Sequence, residues 1–232
     1  MGNIAIIPAR GGSKRIPRKN IKNFLGKPII AYSIEIALLS GLFDEVMVST
    51  DDDEIAKIAL KYGAKVPFLR SKQNSNDHAT TTEVLVEVIG KYEQDLNQVF
   101  DYVCCIYPTS PLLSSTHLQK GLSLIQEKEY STVFPVVEFS SSIWRGIEID
   151  KNNAAKFIWP KNISSRSQDL TPVFHDAGQW YWINPRKLKD SILSENIGIV
   201  ILKEDEVQDI DNPSDWKIAE YKFKNLREIG EL

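Results

Sequence analysis

The sequence predicts an α/β fold, a mostly parallel sheet flanked by helices and carrying a β-rich insert. Three observations lead there. From residue 4 to residue 137 short apolar runs alternate with amphipathic segments at helical spacing, the rhythm of repeated β-α-β units. Some runs, such as YVCCIY at 102–107, are apolar throughout, as strands buried on both faces are. Between 138 and 183 the rhythm breaks into alternating segments and turn residues holding Trp144, Trp159, Trp180 and Trp182, four of the five tryptophans.

Taken in order, residues 4–7 (IAII) read as a buried strand. Residues 10–27 follow, with seven basic residues, adjacent glycines and no acid. Pro28, suited to a first helical position, opens a helix over 28–40 that Gly41 can end. Residues 45–50 form a strand, and Asp51 with Glu54 makes a capping-box-like start to a helix reaching Tyr62, with Gly63 as its stop. A short strand at 66–69, a helix over 82–96, the 102–107 strand, a helix capped by Ser114 or Ser115 and ending near 128, and a strand at 132–137 complete the regular part. After the insert a helix restarts at Pro185, residues 197–202 return to strand, and Asn212-Pro213 opens a final amphipathic helix to about 226. With no repeat or low-complexity linker, residues 1–232 read as one domain, and 138–183 as an insert suited to a subunit interface and to part of a binding site.

Composition narrows the function. The 28 Lys+Arg face 31 Asp+Glu; without the seven basic residues of the 10–27 loop, 21 basic residues face the same 31 acids. A nucleic-acid binder spreads positive charge over a face, whereas an acidic chain with one basic mouth suits a small polyanion. No 18-residue apolar stretch is long enough for a membrane span, and a strand starting within three residues of the N-terminus leaves no room for a signal peptide, so a cytoplasmic protein is expected. Cys104 and Cys105, adjacent on a strand, read as buried thiols.

In open α/β sheets ligands bind at the carboxyl ends of the strands, where four loops converge. The 10–27 loop offers close-approaching glycine backbone, N–H groups and cations for a polyphosphate, with a solvated basic loop as the alternative. Ser49-Thr50-Asp51 ends the second strand, with Asp51 read as a helix cap. Pro108-Thr109-Ser110-Pro111 presents two hydroxyls on a stiff turn for a base or sugar. Asp209 and Asp211, two apart in an extended segment, can face one hard cation such as Mg²⁺, unless Asp211 or Asn212 merely caps the last helix. His78 and His117 read as structural.

These motifs resemble a family. IPARGGSK (7–14) with Asn20, VSTD (48–51), FLR (68–70), YPTSPL (107–112) and DID (209–211) resemble, in order and spacing, the signature of the acylneuraminate cytidylyltransferases, which activate acidic nine-carbon sugars. The resemblance covers nearly the whole chain, and RSQDLTPVFHDAGQWYW (166–182) looks most like the pseudaminic acid branch. It implies a Rossmann-like nucleotidyltransferase fold, a homodimer, and the Mg²⁺-dependent reaction of CTP with a nonulosonic acid to give CMP-sugar and pyrophosphate, feeding surface-glycan or flagellin glycosylation. Carried over, Ala9, Arg10, Gly11, Gly12, Ser13, Lys14, Asn20, Arg70 and Thr80 would bind the nucleotide. Lys14, Arg10 and Asp211 would be catalytic, with Asp209 and Asp211 holding the metal. Tyr107, Thr109, Ser110, Arg166, His175, Asp176 and Gln179 would meet the sugar, Arg166 forking onto its carboxylate. Tyr107 stands where many sialic acid enzymes carry Gln. The alternatives are a sialic or legionaminic acid enzyme and, more distantly, a non-catalytic CTP-binding module; the kinase loop pattern G-x-x-x-x-G-K-[ST] is absent.

Overall fold

The structure is a computed structural model that describes residues 2–193 and 196–232. In chain order it contains β1 (Gly2–Pro8), a ribbon of β2 (Asn23–Phe24) and β3 (Lys27–Pro28), α1 (Ile29–Leu39), β4 (Glu45–Ser49), α2 (Asp53–Lys61), α3 (Thr81–Leu96), β5 (Phe100–Ile106), α4 (Ser115–Lys128) and β6 (Thr132–Glu138). Then come β7 (Ile147–Ile149), β8 (Ala155–Phe157), β9 (Phe174–Asp176), β10 (Trp180–Ile183), β11 (Ile197–Leu202) and α5 (Pro213–Glu228). The main sheet has the order β11-β6-β10-β5-β1-β4, with β9 also paired to β6. β1 lies between β4 and β5 and is parallel to both, so the first crossovers leave β1 in opposite directions and open a crevice at its carboxyl end.

Side-chain alternation along β1 explains why helices cover both faces. Ala5 and Ile7 pack with Ile30, Ile34, Ile55 and Leu118 of α1, α2 and α4, while Ile4 and Ile6 pack with Leu85, Val88 and Tyr92 of α3. A third cluster, in which Phe24 and Ile29 meet Trp216 and Phe223 of α5, clamps the C-terminal helix over the ribbon that follows the basic loop.

Four local expectations are corrected. Pro28 is the residue before α1, extended at ψ 137° and paired with Asn23, because the ribbon claims it. The cap of α2 is Asp52, whose carboxylate accepts from the Glu54 and Ile55 amides, so Asp51 is free for another role. Residues 66–69 form no strand; just before them the chain meets the sheet in an isolated bridge of Lys65 to Met47. Pro185–Lys187 is a single 3₁₀ turn capped by Asn184 rather than a helix.

The 138–183 segment divides in two. Among the described residues β7 and β8 pair only with each other, and Trp144 packs edge-on against Trp159 at 5.3 Å. Residues 174–183 return to the main sheet: β9 and β10 run antiparallel to β6, kinked at Gly178 where φ is +63°. Trp180 and Trp182 are therefore fully buried core residues between β5 and β6, not insert aromatics. Alternation cannot separate a strand of an insert from one that rejoins the parent sheet.

Candidate active site

The carboxyl ends of β1 and β5, with Arg70 and the start of α3, enclose a cleft of about 430 Å³. Leaving β1, Ala9 N–H donates to the Ser49 carbonyl at 2.9 Å, and Gly11 N–H donates to Asp51 Oδ1 at 3.0 Å. A Cβ on Gly11 would lie 2.7 Å from Asp52 Oδ2, so a larger residue there would have to push the Asp52 carboxylate aside. Arg18, in the left-handed region at φ 55°, anchors the loop by donating to Asp52 Oδ1 at 2.9 Å and pairing with Glu54. The Arg18 guanidinium holds the Asp52 carboxyl down at about 2. The buried Asn20 amide donates to the Arg10 carbonyl at 2.9 Å and faces the cleft.

The seven cations of the loop separate by what they touch. Arg10, Lys14, Arg15 and Lys19 line the cleft. Arg18 is the anchor just described, Lys27 pairs with Glu35, and Lys22 lies 4.7 Å over the Trp216 ring. The basic mouth is thus four charges, not seven, and two acids already meet them. Arg10 donates to Asp77 Oδ1 at 2.6 Å and to the Asn76 carbonyl at 3.2 Å, and Lys14 pairs with the other Asp77 oxygen. Arg15 meets Asp211 at 2.6 Å, while Lys19 donates to the Ile210 carbonyl at 2.7 Å with Asp211 at 4.0 Å. Burial pushes the Lys19 ammonium down, opposed by Asp211 and Asp209.

On the opposite wall, Arg70 is buried and donates through Nε to Ser49 Oγ at 3.0 Å and through Nη2 to the Ser49 carbonyl. Thr80 caps α3 in a full capping box with Glu83 and also lines the cleft, as Thr109 and Ser13 do. Gly12 faces open space and Ser13 N–H turns back to the Gly11 carbonyl at 3.1 Å. Ser110 is buried beneath its loop, 3.4 Å from the Gln179 carbonyl.

Ile210 is buried in the third core cluster, which turns Asp209 and Asp211, its neighbours on either side, the other way. Asn212 caps α5 through Ser214 and Asp215, leaving the Asp211 carboxylate free of that duty. Burial and then the charge of Asp211 raise the Asp209 carboxyl above the ordinary range. Among the described residues no group of three or more His, Cys, Asp or Glu gathers, so the chain offers two carboxylates and no all-protein cage. That donor set fits Mg²⁺, which commonly takes one or two carboxylates and completes its shell with phosphate oxygens and water.

The residues expected to meet the sugar are scattered more widely. Asp176 is exposed, its Oδ2 accepting from Tyr181 at 2.6 Å and its Oδ1 from Gly178 N–H at 2.8 Å. The exposed His175 ring packs 4.7 Å from Phe139 with Nδ1 against the Asp176 carbonyl. Gln179 is buried and donates to the Glu206 carbonyl at 2.6 Å. Arg166 is exposed at the head of a 3₁₀ turn, Ser167–Asp169, outside the residues lining the cleft. His117 is desolvated, which pushes its ring down, and lies 3.5 Å from Glu206. Sequence reasoning did not single out Arg15, Lys19, Asp77, Thr81 or Tyr181. Arg15 and Lys19 lay in the basic run, but an irregular loop has no period to tell inward from outward.

Residues 4–177 match the model of the family described as Cytidylyltransferase. The chain belongs to the cytidylyltransferase family. It is a nucleotidyltransferase with the α/β fold of that group. It is 45% identical to the pseudaminic acid cytidylyltransferase of Campylobacter jejuni over 97% of both chains. It is 32% identical to the CMP-N,N'-diacetyllegionaminic acid synthase of Legionella pneumophila over 94% of both. Among solved structures, the CMP:2-keto-3-deoxy-manno-octonic acid synthetase complexed with CTP superposes with a TM-score of 0.72 at 19% identity, covering 97% of this chain and 99% of that one. At that identity the likeness concerns the fold.

Proposed function

We propose that the enzyme joins CTP to pseudaminic acid, an acidic nine-carbon sugar, giving CMP-pseudaminic acid and pyrophosphate with Mg²⁺ as its cofactor. The observation that carries the chemistry is the ion pair of Arg15 with Asp211, which ties the basic loop to a carboxylate pair. The sugar is inferred from the end-to-end likeness to the Campylobacter enzyme named for it. Because CTP is an intracellular metabolite, the reaction is cytoplasmic, and the exposed apolar residues of the 139–163 segment support a homodimer.

The anomeric hydroxyl oxygen bonds to the α-phosphorus as the bond from that phosphorus to the leaving pyrophosphate breaks. Positioning and charge stabilisation supply most of the catalysis in such transfers. Arg10 and Lys14, at the mouth of the cleft, neutralise the charge growing on the β,γ leaving group. Asn20 and Gly11 shape the backbone cradle, Arg70 and Thr80 border the nucleotide, and Thr109 and Tyr107 face the sugar side. Mg²⁺ held by Asp209 and Asp211 would neutralise phosphate charge and acidify the attacking hydroxyl.

The test is pyrophosphate release from CTP and Mg²⁺ with pseudaminic, legionaminic and N-acetylneuraminic acids offered separately. Release with pseudaminic acid alone is expected; release with another sugar instead would reassign the substrate. Lys14→Ala and Asp211→Ala should each lower turnover by roughly two to three orders of magnitude. Near-normal rates in either would overturn its role.

A further inference from the structure

Two adjacent carboxylates after β4 hold residues 11–18 of the basic loop at both ends. Asp51 Oδ1 accepts from Gly11 N–H at 3.0 Å, just after the chain leaves β1. Asp52 takes the Arg18 guanidinium, Oδ2 accepting from Nη1 and Oδ1 from Nη2 at 2.9 Å. The same Oδ1 accepts from the Glu54 and Ile55 amides, so the loop is fastened to the cap of a helix rather than to another loop. Glu54 sets a second acid on the guanidinium at 2.6 Å. Between the two clamps Lys14 and Arg15 project, with side chains 77% and 69% exposed.

Arg18 is also where the chain turns inward. Its φ of 55° is a left-handed conformation, unfavourable for a residue with a Cβ. Its carbonyl accepts from the Ile21 and Lys22 amides at 3.0 Å each, closing the turn. The guanidinium leaves toward α2, while the next two residues, Lys19 and Asn20, line the cleft. Lys19 then reaches the Ile210 carbonyl and Asn20 the Arg10 carbonyl. Arg18, Asp51 and Asp52 are not among the residues lining the cleft. Whatever the pair does for a ligand, it does through the loop.

We propose that Asp52 and Arg18 are positioning residues for the nucleotide, fixing the far end of this loop so that Lys14, Arg15, Lys19 and Asn20 meet the triphosphate in one arrangement. This rests on the functional reading above. Lys14, Arg15, Arg18 and Lys19 stand within six residues, and like charges so close push a loose loop apart. Asp52 and Glu54 neutralise the one cation among them that turns away from the cleft. Positioning and plain electrostatics predict opposite signs here. Removing the Asp52 charge makes the surroundings of a triphosphate more positive, so the field alone would tighten CTP binding. Loss of positioning weakens it.

The experiment is calorimetric titration of wild type, Asp52→Asn and Arg18→Lys with CTP and Mg²⁺ in the absence of sugar, then steady-state kinetics with each substrate varied. Asn caps a helix as well as Asp does, so Asp52→Asn keeps the start of α2. Lys keeps the charge of Arg18 but not its planar fork, so Arg18→Lys leaves the field unchanged. Each variant should raise the CTP Kd and KM about fivefold, the upper end for an exposed pair, because this one is bidentate. The sugar KM at saturating CTP should stay within about twofold. The double variant should be no worse than the poorer single one, because the two residues act as a unit. Unchanged or tighter CTP binding by Asp52→Asn, or a parallel rise in the sugar KM, would overturn the proposal. So would a lower melting temperature with the CTP Kd unchanged, the mark of a purely structural pair. If Asp52→Asn fails to fold, Arg18→Lys decides through the same Kd. A wild type that binds CTP but releases no pyrophosphate with any nonulosonic acid would overturn the functional reading, while the Kd series still decides this inference. A wild type that binds no CTP would overturn both.

Discussion

Two acidic residues set the electrostatics of the cleft in opposite senses. Asp77 holds Arg10 and Lys14, the cations proposed to meet the triphosphate, and those partners in turn lower its own carboxyl. Among the described residues its loop gives them only the Asn76 carbonyl besides, so on the proposed reading CTP would compete with Asp77 for the same two cations. Asp77→Asn is therefore expected to lower the CTP KM by about twofold to fivefold at low salt, the modest range of exposed pairs. Because exposed charges are screened, the advantage should narrow at high ionic strength. A raised KM in an initial-rate assay would instead make Asp77 a ligand of the nucleotide. Asp209 works the other way. Its carboxyl is raised by burial and by Asp211, so the folded state binds its proton more tightly than the unfolded chain does. Stability contributed by that proton is full at low pH and is lost as pH rises toward the raised value. Asp209→Asn should raise the metal-free melting temperature at pH 7, the gain vanishing at pH values below the ordinary carboxylate range, while activity falls. An unchanged melting temperature at pH 7 would show that the carboxylate is not strained there.

At the scale of elements, packing is tight where α4 crosses β10. A Cβ on Gly121 would sit 2.4 Å from the Trp180 ring and 2.8 Å from that of Trp182. Overpacking of about 1–3 kcal/mol outweighs the helix propensity that alanine adds, about 1 kcal/mol. Gly121→Ala is expected to lower the urea midpoint, whereas Gly90→Ala in α3, where a Cβ meets nothing within 4 Å, should raise it. Equal shifts of one sign would show that packing at Gly121 has slack. The same crossing explains what the sequence could and could not say. β1, β4, β5, β6 and β11 were legible because apolar runs bounded by turn residues mark strands. β10 lay inside the stretch read as a β-rich insert and was not legible as a neighbour of β5, since pairing across 74 residues leaves no trace in local alternation: Trp180 meets Ile106. The cleft followed the same rule. Arg10, Lys14 and Asn20 came from the motif, and Asp209 with Asp211 from alternation around Ile210. Asp77 joined them only through tertiary contact from an irregular loop.

For the whole molecule, the hairpin of β7 and β8 is the part that does not explain itself. Two short strands alone are marginal in water, and among the described residues these pair only with each other. β7 is exposed along its whole length, and Ile149 is 69% accessible, with Ile147, Ile158, Ile163 and Phe139 also exposed around it. A stable interface buries on the order of 1,200–2,000 Å² in total, and an apolar projection of this kind supplies the dry centre of one. The proposed homodimer should therefore be seen in sedimentation equilibrium as a particle of twice the chain mass of 26.3 kDa. Replacing Ile147 and Ile149 with Asp should return the single-chain mass, because charge at the centre of an interface cannot be solvated. The rival surface is the outer side of the edge strand β11, where Ile199 and Ile201 are exposed beside a free backbone edge. If Ile201→Lys dissociates the dimer and the hairpin variant leaves it intact, the edge strand is the interface. If the wild type itself sediments as a single chain, the projecting hairpin has some other partner and the homodimer falls.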